Sequence, residues 1–246
     1  MSVRLNCVLI AGGKWHDIDF ARLELLKLLA EDERIRVRVF EDYSNLEAIN
    51  AADFLVSYTC DVTPTEEQQV ALRNYLERGG RWLALHGTNS ILRFLENGSI
   101  DTPCTAPLFI DTLGSMFRAH PPIGPFTVSP TGLDHPMVKG IEPFEVVDEL
   151  YLSTVHAPLS VLLDTEFEGS AGRFVDNQWE KQRHPVLYLR QLEKGAVMYL
   201  TLGHCRGHYD LQPMVDFYPE IERCAWEQPV YYELLRRGIS WARREL

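Results

Sequence analysis

Three histidines follow separate predicted strands, and their side chains offer the most informative chemistry in the chain. His16 follows an N-terminal apolar run that ends in two glycines, His86 follows Arg81–Leu85, and His204 follows Ala196–Leu200. In open parallel sheets, ligands bind beyond the carboxyl ends of the strands, so we expect the three imidazoles to share one site. Imidazole titrates near neutral pH and is a common metal ligand, which predicts acid/base catalysis or metal binding.

A divalent metal such as zinc would take His86 and His204 as first-choice ligands, with His16 or Glu149 as the third. Without a metal, the same three histidines are the candidate catalytic acids and bases. Glu149 directly follows Asp148, and neighbouring side chains on a strand point to opposite faces, so we expect at most one carboxylate to face the site. A solvated acidic pair and a carboxylate that orients a histidine or binds a hydroxyl both stay open.

Other residues at the same predicted edge are candidates to bind a substrate. Most of them lie at the end of a predicted strand or shortly after it, and the others lie in irregular or acidic segments of the chain. The candidates are Gly13, Trp15, Asp17, Tyr58, Thr88, Asn89, His120, Glu149 and Tyr209. Trp15, Tyr58 and Tyr209 offer aromatic faces for packing. His120 precedes a proline, which favours extended backbone and a loop-shaping role, yet it lies in a segment that could cover the edge.

The five cysteines, which are widely spaced and odd in number, do not predict disulfides. There is no C-x-x-C pair, so a thiolate zinc site is not expected either, and a reducing cytosol fits this usage. A thiol enzyme built on Cys60, which follows a predicted strand, stays open as a minor alternative. The sequence holds no G-x-S-x-G, Walker or G-x-G-x-x-G pattern, and therefore no nucleotide cofactor is expected.

The first ninety residues alternate strand and helix patterns, which predicts βαβ units and a parallel sheet. The predicted strands are Cys7–Ala11, Ile35–Phe40, Phe54–Tyr58 and Arg81–Leu85, and the predicted helices are Phe20–Ala30 and a second that ends near Arg78. The alternation of Ile35–Phe40 indicates a half-solvated strand near an edge. Thr63 to Glu66 reads as a capping box with Thr63 as the N-cap.

The second half of the chain gives weaker patterns. Segment 96–140 is rich in proline, glycine and threonine, which predicts a long functional loop rather than a linker. The elements predicted beyond it and at its end are strands Phe126–Ser129, Ser160–Leu163, Val186–Arg190 and Ala196–Leu200, and helix Pro229–Glu245. We therefore expect one α/β domain over residues 1–246 with long loop insertions in its second half.

Composition and charge limit the partners. The chain has 246 residues, 46% of them hydrophobic, and its 24 basic against 35 acidic residues give a formal charge of −11. Such a field repels phosphate backbones and anionic lipid, so neither nucleic acid nor a membrane is an expected partner. The first apolar run, Cys7–Ala11, is too short for a signal peptide or a membrane span. We expect a cytoplasmic protein with a small neutral ligand, and a homo-oligomer is compatible with this.

Five motifs in order make the chain similar to a known family. They are Gly12-Gly13-x-x-His16-Asp17, Gly79-Gly80-Arg81-Trp82-Leu83-Ala84-Leu85-His86-Gly87, Asp148-Glu149-Leu150-Tyr151, Gly195-x-Val197-x-Tyr199-x-x-Leu202-Gly203-His204 and Gly238-Ile239-x-Trp241-Ala242. Together they resemble the trehalose-utilisation ThuA-like family and span almost the whole chain.

The resemblance implies a three-layer flavodoxin-like sandwich of the class I glutamine amidotransferase-like type, with a mostly parallel central sheet. In those amidotransferases a cysteine on a sharp turn after a strand pairs with a later histidine. Here His86 stands at the position of that cysteine, while His204 lies where the later histidine is expected. The departure argues against a cysteine-dependent glutamine amidotransferase and keeps a scaffold that brings the two histidines together.

The resemblance also implies a role in carbohydrate metabolism, on trehalose-derived or related 3-keto-sugars. A keto-sugar has acidic α-protons, so one imidazole could take a proton while another donates to the carbonyl oxygen, as in a lyase, hydrolase or isomerase. A bound divalent metal could polarise the same carbonyl. The alternative is a non-catalytic protein that binds a sugar or a partner on an amidotransferase-like scaffold, because fold alone does not imply catalysis.

Overall fold

A computed structural model describes residues 4–246. Its strands are β1 (Leu5–Gly13), β2 (Ile35–Phe40), β3 (Phe54–Cys60), β4 (Arg81–Leu85), β5 (Arg93–Phe94), β6 (Ile100–Asp101), β7 (Ser115–Ala119), β8 (Gly124–Pro130), β9 (Phe144–Asp148), β10 (Leu152–Val155), β11 (Ser160–Ser170), β12 (Gln178–Leu192) and β13 (Gly195–Leu200). Its α-helices are α1 (Ile18–Leu29), α2 (Leu46–Ala51), α3 (Glu66–Glu77), α4 (Pro107–Leu113) and α5 (Pro229–Ala242), and short 3-10 helices cover His86–Asn89, Pro136–Val138 and Cys224–Glu227.

The central sheet is mixed. Within residues 4–246 its nine strands run in the order β2-β1-β3-β4-β13-β12-β11-β8-β9. The pairings from β2 to β13 are parallel, and those from β13 to β9 are antiparallel. The expectation of a mostly parallel sheet therefore holds for only half of it. Only a two-residue turn separates β12 from β13, and a turn that short permits only antiparallel pairing.

The parallel half follows the hydrophobic pattern of the sequence. Every residue of β3 is buried, as expected of a strand covered on both faces. Strand β2 alternates half-buried and exposed residues at the edge, which confirms its predicted position. Alternate residues of β1 enter two cores, one containing α1 and α5 and the other containing α2, α3 and α4. The fold is thus α/β, while the three-layer arrangement and the single-domain organisation stay predictions.

Two local predictions are wrong. Helix α3 begins after Thr65, not Thr63, because Thr65 and Gln68 form the reciprocal capping box while the Pro64 carbonyl accepts from the Gln69 side chain. Segment 96–140 is not a plain loop, since it holds β6, α4, β7 and β8. Strand β7 pairs with β10, more than thirty residues later, so its stability comes from a distant partner that local patterns do not reveal.

The sheet order places the functional side chains. The neighbouring parallel strands β1, β3, β4 and β13 end at one edge, and His16, His86 and His204 follow three of those ends. Glu149 directly follows β9 of the antiparallel half. None of the helices within residues 4–246 has both the length and the apolarity needed to cross a membrane.

Candidate functional site

Three histidines and one glutamate form a buried cluster at this edge. One donor atom each from His16, His86, Glu149 and His204 lies within 4.8 Å of the others. The four residues are at most 5% exposed. Burial of four ionisable side chains is costly unless they are paired or bind an ion, so the cluster indicates a functional site.

His86 sits on a strained turn that fixes its ring. Its φ of +43° lies in the left-handed region, directly after β4. Such outliers concentrate at functional sites. Nδ1 lies 2.9 Å from the Thr201 carbonyl oxygen. Because a carbonyl only accepts, Nδ1 carries the hydrogen, and Nε2 of a neutral ring presents a lone pair to the cluster.

His16 is anchored in the same way and faces His86. Its Nδ1 lies 3.3 Å from the Lys14 carbonyl oxygen, which leaves Nε2 without a hydrogen in a neutral ring. The Nε2 atoms of His16 and His86 are 2.9 Å apart. Two lone pairs at that distance repel each other, and a cation bound between the rings would remove that repulsion.

His204 completes the set from the opposite side. Its Nε2 lies 2.8 Å from Glu222 Oε2, and a carboxylate oxygen accepts, so Nε2 carries a hydrogen. Nδ1 lies 3.1 Å from Glu149 Oε1 but without hydrogen-bond geometry, which leaves it a buried polar atom without a hydrogen-bond partner. The preceding Gly203 has a φ of +120°, and a Cβ there would lie 2.2 Å from the Tyr231 hydroxyl, so the turn into His204 requires glycine.

Glu149 is the anionic centre of the cluster. Its Oε2 lies 3.5 Å from His86 Nε2 and 3.8 Å from His16 Nε2, while Oε1 lies 3.6 Å from both His120 Nε2 and Arg206 Nη2. Burial alone would raise the pKa of this carboxyl, but the electrostatic attraction of the surrounding histidines holds that pKa well below its ordinary value. Glu149 is therefore ionised at neutral pH.

The same environment separates the pKa values of two histidines. Burial lowers the pKa of His16 to about 3. Burial acts in the same direction on His204, but the carboxylates of Glu149 and Glu222 outweigh it and raise its pKa to about 9. Without a metal, His16 is thus neutral and His204 cationic at pH 7, and this proton on His204 is the one that a metal would displace.

The donor set fits a divalent transition metal. Each imidazole has its outer nitrogen bonded to a carbonyl or carboxylate oxygen, the arrangement that orients histidine ligands in metal sites. Its inner nitrogen points to the cluster, where the Glu149 carboxylate adds an oxygen donor. Imidazole nitrogen with carboxylate oxygen is a ligand set for zinc, and iron, nickel and copper also accept imidazole.

A cavity of about 580 Å³ opens above the cluster, with His16 and Glu149 in its wall. Trp15 and His120, both predicted as substrate-binding residues, also line it. Gly13 lies at the end of β1 with a φ of +107°, and a Cβ there would lie 1.9 Å from the Cys60 carbonyl oxygen, so it permits close approach of β1 and β3. The cavity is large enough for a glycoside.

Six predicted substrate-binding residues, Gly13 among them, do not line this cavity. Asp17 caps α1, and its Oδ2 lies 2.9 Å from Arg223 Nη2. Tyr209 is 63% exposed, and its ring lies beside that of Phe217. A position directly after a strand predicts that the residue lies at the edge of the sheet, but it does not predict the direction of the side chain. Both residues turn away from the cluster.

The other three lie beneath the site. Tyr58 stacks on His86 at 5.9 Å and donates to the Gly203 carbonyl. Thr88 donates to the Leu85 carbonyl, and Asn89 bonds to Ser115. The 3-10 turn after β4 directs Thr88 and Asn89 into the protein, and Tyr58 reaches His86 from the neighbouring strand β3.

Tyr151, Arg206 and Glu222 line the cavity although they are not among the predicted site residues. The Tyr151 hydroxyl lies 3.4 Å from His86 Nε2, and Arg206 Nη1 lies 2.7 Å from Glu222 Oε2. Tyr151 lies within a recognised motif and Arg206 two residues after His204, so sequence proximity was an available signal for both. Glu222 comes from an irregular segment whose sequence gives no such signal.

Comparisons with known proteins place the chain. The chain combines an α/β fold with a buried cluster of three histidines and one glutamate at one edge of its sheet. The sequence model of the ThuA family, described as trehalose utilisation, matches residues 8–217. The chain therefore belongs to the ThuA trehalose-utilisation family, as the motifs predicted. A search of curated proteins found no match.

Solved structures show the same fold. A ThuA-like protein of Bacteroides uniformis matches with a TM-score of 0.67 and 17% identity, over 98% of this chain and 92% of that one. A ThuA-like protein of Parabacteroides merdae matches with a TM-score of 0.63 and 16% identity, over 98% and 90%. The β-galactosidase of Rahnella sp. R3 matches with a TM-score of 0.57 and 10% identity, over 99% of this chain and 32% of that one. At these identities the likeness concerns the fold.

Proposed function

We propose that the protein is a metal-dependent enzyme acting on keto-sugars, with the ion held by His16, His86, Glu149 and His204. One observation carries the proposal: three anchored imidazoles and an ionised carboxylate converge within 4.8 Å, and two of these residues, His16 and Glu149, line a cavity. Membership of the trehalose-utilisation family supports a sugar as substrate. A bound divalent ion polarises a carbonyl oxygen and stabilises the charge that develops on it.

His120 is the candidate base for an acidic α-proton of the keto-sugar. Its Nδ1 lies 2.7 Å from the Pro121 carbonyl oxygen, so Nε2 of the neutral ring is free of hydrogen. This Nε2 lies 3.6 Å from Glu149 Oε1 and borders the cavity. It can therefore take a proton from a carbon atom next to a carbonyl group held at the cluster.

Tyr151 is the candidate proton donor. Burial, with the nearby Glu149 charge, raises the pKa of its hydroxyl well above the ordinary value, so the group stays protonated. The hydroxyl lies 3.4 Å from His86 Nε2 at the cavity wall. It can donate a hydrogen bond to a substrate oxygen beside the cluster, and proton removal with proton donation is the chemistry of a lyase or isomerase.

The proposal is tested by measuring turnover of 3-keto-trehalose and 3-keto-glucosides with three samples. These are the protein as purified, the protein after chelator treatment, and the chelated protein after zinc is added back. We expect turnover to fall to background on chelation and to return with zinc. Undiminished turnover by protein shown to be metal-free would contradict metal dependence. Tight sugar binding without turnover in the zinc-loaded protein would instead support the non-catalytic alternative.

Zinc binding at pH 7.5 is expected to release about one proton. The pKa of His204 is about 9, so the metal-free protein binds that proton below pH 9 and loses it above, whereas His16 with a pKa of about 3 holds none. Calorimetric titration in buffers of different ionisation enthalpy measures the release. Release near zero at pH 7.5, or release that grows above pH 9, would contradict this prediction.

Cys60→Ala is expected to keep turnover and zinc content within about two-fold of wild type. Cys60 borders the cavity, but burial and the Glu149 charge raise the pKa of its thiol well above the ordinary value, so no thiolate forms near neutral pH. Steady-state kinetics beside the exposed control variant Cys104→Ala measures the effect. Loss of turnover in Cys60→Ala alone, with zinc retained, would restore the thiol mechanism.

A further inference from the structure

The outer part of the cavity, at its opening to solvent, differs chemically from its inner end, which lies at the histidine cluster. Its side chains are apolar, half-buried or exposed, and include Leu92, Phe94, Ile100, Ile123, Leu211 and Met214. Phe94 is 42% exposed and Met214 is 51% exposed, which places both at the opening. Exposed apolar groups around a cavity with a charged interior are typical of ligand-binding sites.

An aromatic wall connects this opening to the interior. At the opening, the rings of Trp15 and Phe94 are tilted against each other with centroids 4.9 Å apart. Phe94 pairs with Ile100 across β5 and β6, and Ile100 bridges to Phe174. Trp15, Phe94, Ile100 and Phe174 therefore follow one another along the cavity lining, with Phe94 and Ile100 on the two-stranded sheet.

The aromatic wall continues to the histidine cluster. The ring centroid of Phe174 lies 5.5 Å from that of Phe117, which in turn lies 4.5 Å from that of Tyr151. The Tyr151 ring lies 4.7 Å from His86. A ligand whose reacting group contacts the cluster thus has aromatic faces and edges along its path to solvent.

Hydrogen-bonding groups are concentrated at the inner end. Among the described residues that line the cavity, the ionisable side chains at the inner end include His16, His120, Glu149, Arg206 and Glu222. The charged side chain on the outer part is that of Arg173, which is exposed. A second sugar ring in the outer part would lose the water bound to its hydroxyl groups and would find few hydrogen-bond partners there. Each hydroxyl group left without a partner would weaken binding.

We infer that the outer cavity binds an aromatic aglycone, so that the preferred ligand is an aryl glycoside rather than a disaccharide. The inference rests on the proposed function in one respect, that the sugar ring occupies the histidine cluster. A flat ring fits an aromatic wall because offset or edge-on aromatic contacts add to the gain from burial. We expect a phenyl group to improve binding by at least about ten-fold over a methyl group.

Calorimetric titration of the zinc-loaded protein with phenyl and methyl β-D-glucopyranoside tests this inference. Both glucosides lack the keto group, so binding is measured without turnover. The expected result is at least ten-fold tighter binding of the phenyl compound. Equal affinities, or no binding of either, would overturn the inference, because the aromatic wall is already formed in the structure.

Phe94→Ala and Phe217→Ala provide the matched variants. Phe94 lines the opening and is 42% exposed, whereas Phe217 is 53% exposed and lies outside the cavity lining, so neither change opens a hole in the core. Phe94→Ala should reduce the phenyl-to-methyl preference at least three-fold, and Phe217→Ala should leave it unchanged. A preference unaffected by Phe94→Ala would overturn the assignment.

Zinc content of every sample separates the two proposals. If wild-type protein binds zinc and turns over keto-sugars but shows no phenyl preference, the aglycone inference fails alone. If the phenyl preference is present but zinc is neither bound nor required, the metal proposal fails and the aromatic site stands.

Discussion

Glu149→Gln is expected to weaken zinc binding by at least about a thousand-fold and to reduce keto-sugar turnover to background. The glutamine side chain keeps the size of glutamate but removes the negative charge that three histidines and Arg206 face. An amide group is also a poor ligand for zinc beside imidazole. Zinc competition with a chromophoric chelator and turnover measurements give the two readouts.

Two other substitutions, Glu222→Gln and Glu220→Gln, provide comparisons for the effect of Glu149→Gln on zinc binding. Glu222→Gln removes the carboxylate that accepts from His204 Nε2 at 2.8 Å but leaves all four proposed ligands in place. A loss of zinc affinity of about 10- to 100-fold is therefore expected, as is typical of such outer partners. Glu220→Gln changes an exposed residue and should have no effect. If Glu149→Gln binds zinc like wild type, Glu149 does not hold the ion.

Asp148→Ala is expected to lower the free energy of unfolding by about 3–4 kcal/mol, equivalent to a fall in melting temperature of roughly 10 °C. The carboxyl group is 1% exposed. It accepts four backbone N–H bonds, from Glu149 at 2.7 Å, Gly203 at 2.9 Å, His204 at 3.0 Å and Ala225 at 3.3 Å. Alanine leaves these buried donors without a partner.

Asp148→Asn should give an intermediate loss. It retains one oxygen acceptor and turns an amide N–H₂ towards two N–H groups that need an acceptor. Thermal denaturation of both variants, beside the exposed control Asp216→Asn, measures the effect. Because the same bonds hold Gly203 and His204, Asp148→Asn should also weaken zinc binding. A melting temperature of Asp148→Ala equal to that of the control would show that these bonds do not stabilise the fold.

The parallel half of the fold and the meeting of the three histidines could be predicted from the sequence. Each histidine follows its own apolar strand, and parallel strands that are neighbours in the sheet end at one edge. The rule that adjacent strand residues face opposite ways predicted that at most one of Asp148 and Glu149 faces the site. In the structure Glu149 belongs to the cluster and Asp148 accepts from backbone N–H groups.

The antiparallel half and the outer partners of the cluster could not be predicted in this way. The pairing of β7 with β10 and the contact of Glu222 with His204 depend on residues far apart in sequence. Sequence patterns within a single element predict neither this strand pairing nor this side-chain contact. Side-chain direction after a strand is a second limit, because the 3-10 turn directs Thr88 away from the cavity although it follows β4.

The metal content of the purified protein tests the central claim most directly. Elemental analysis of wild-type protein prepared without chelators, together with Glu149→Gln prepared identically, should find about one divalent transition metal ion per wild-type chain and less than about a tenth of that in the variant. Wild-type protein that contains no such metal, and that takes up none when dialysed against zinc, would contradict the account.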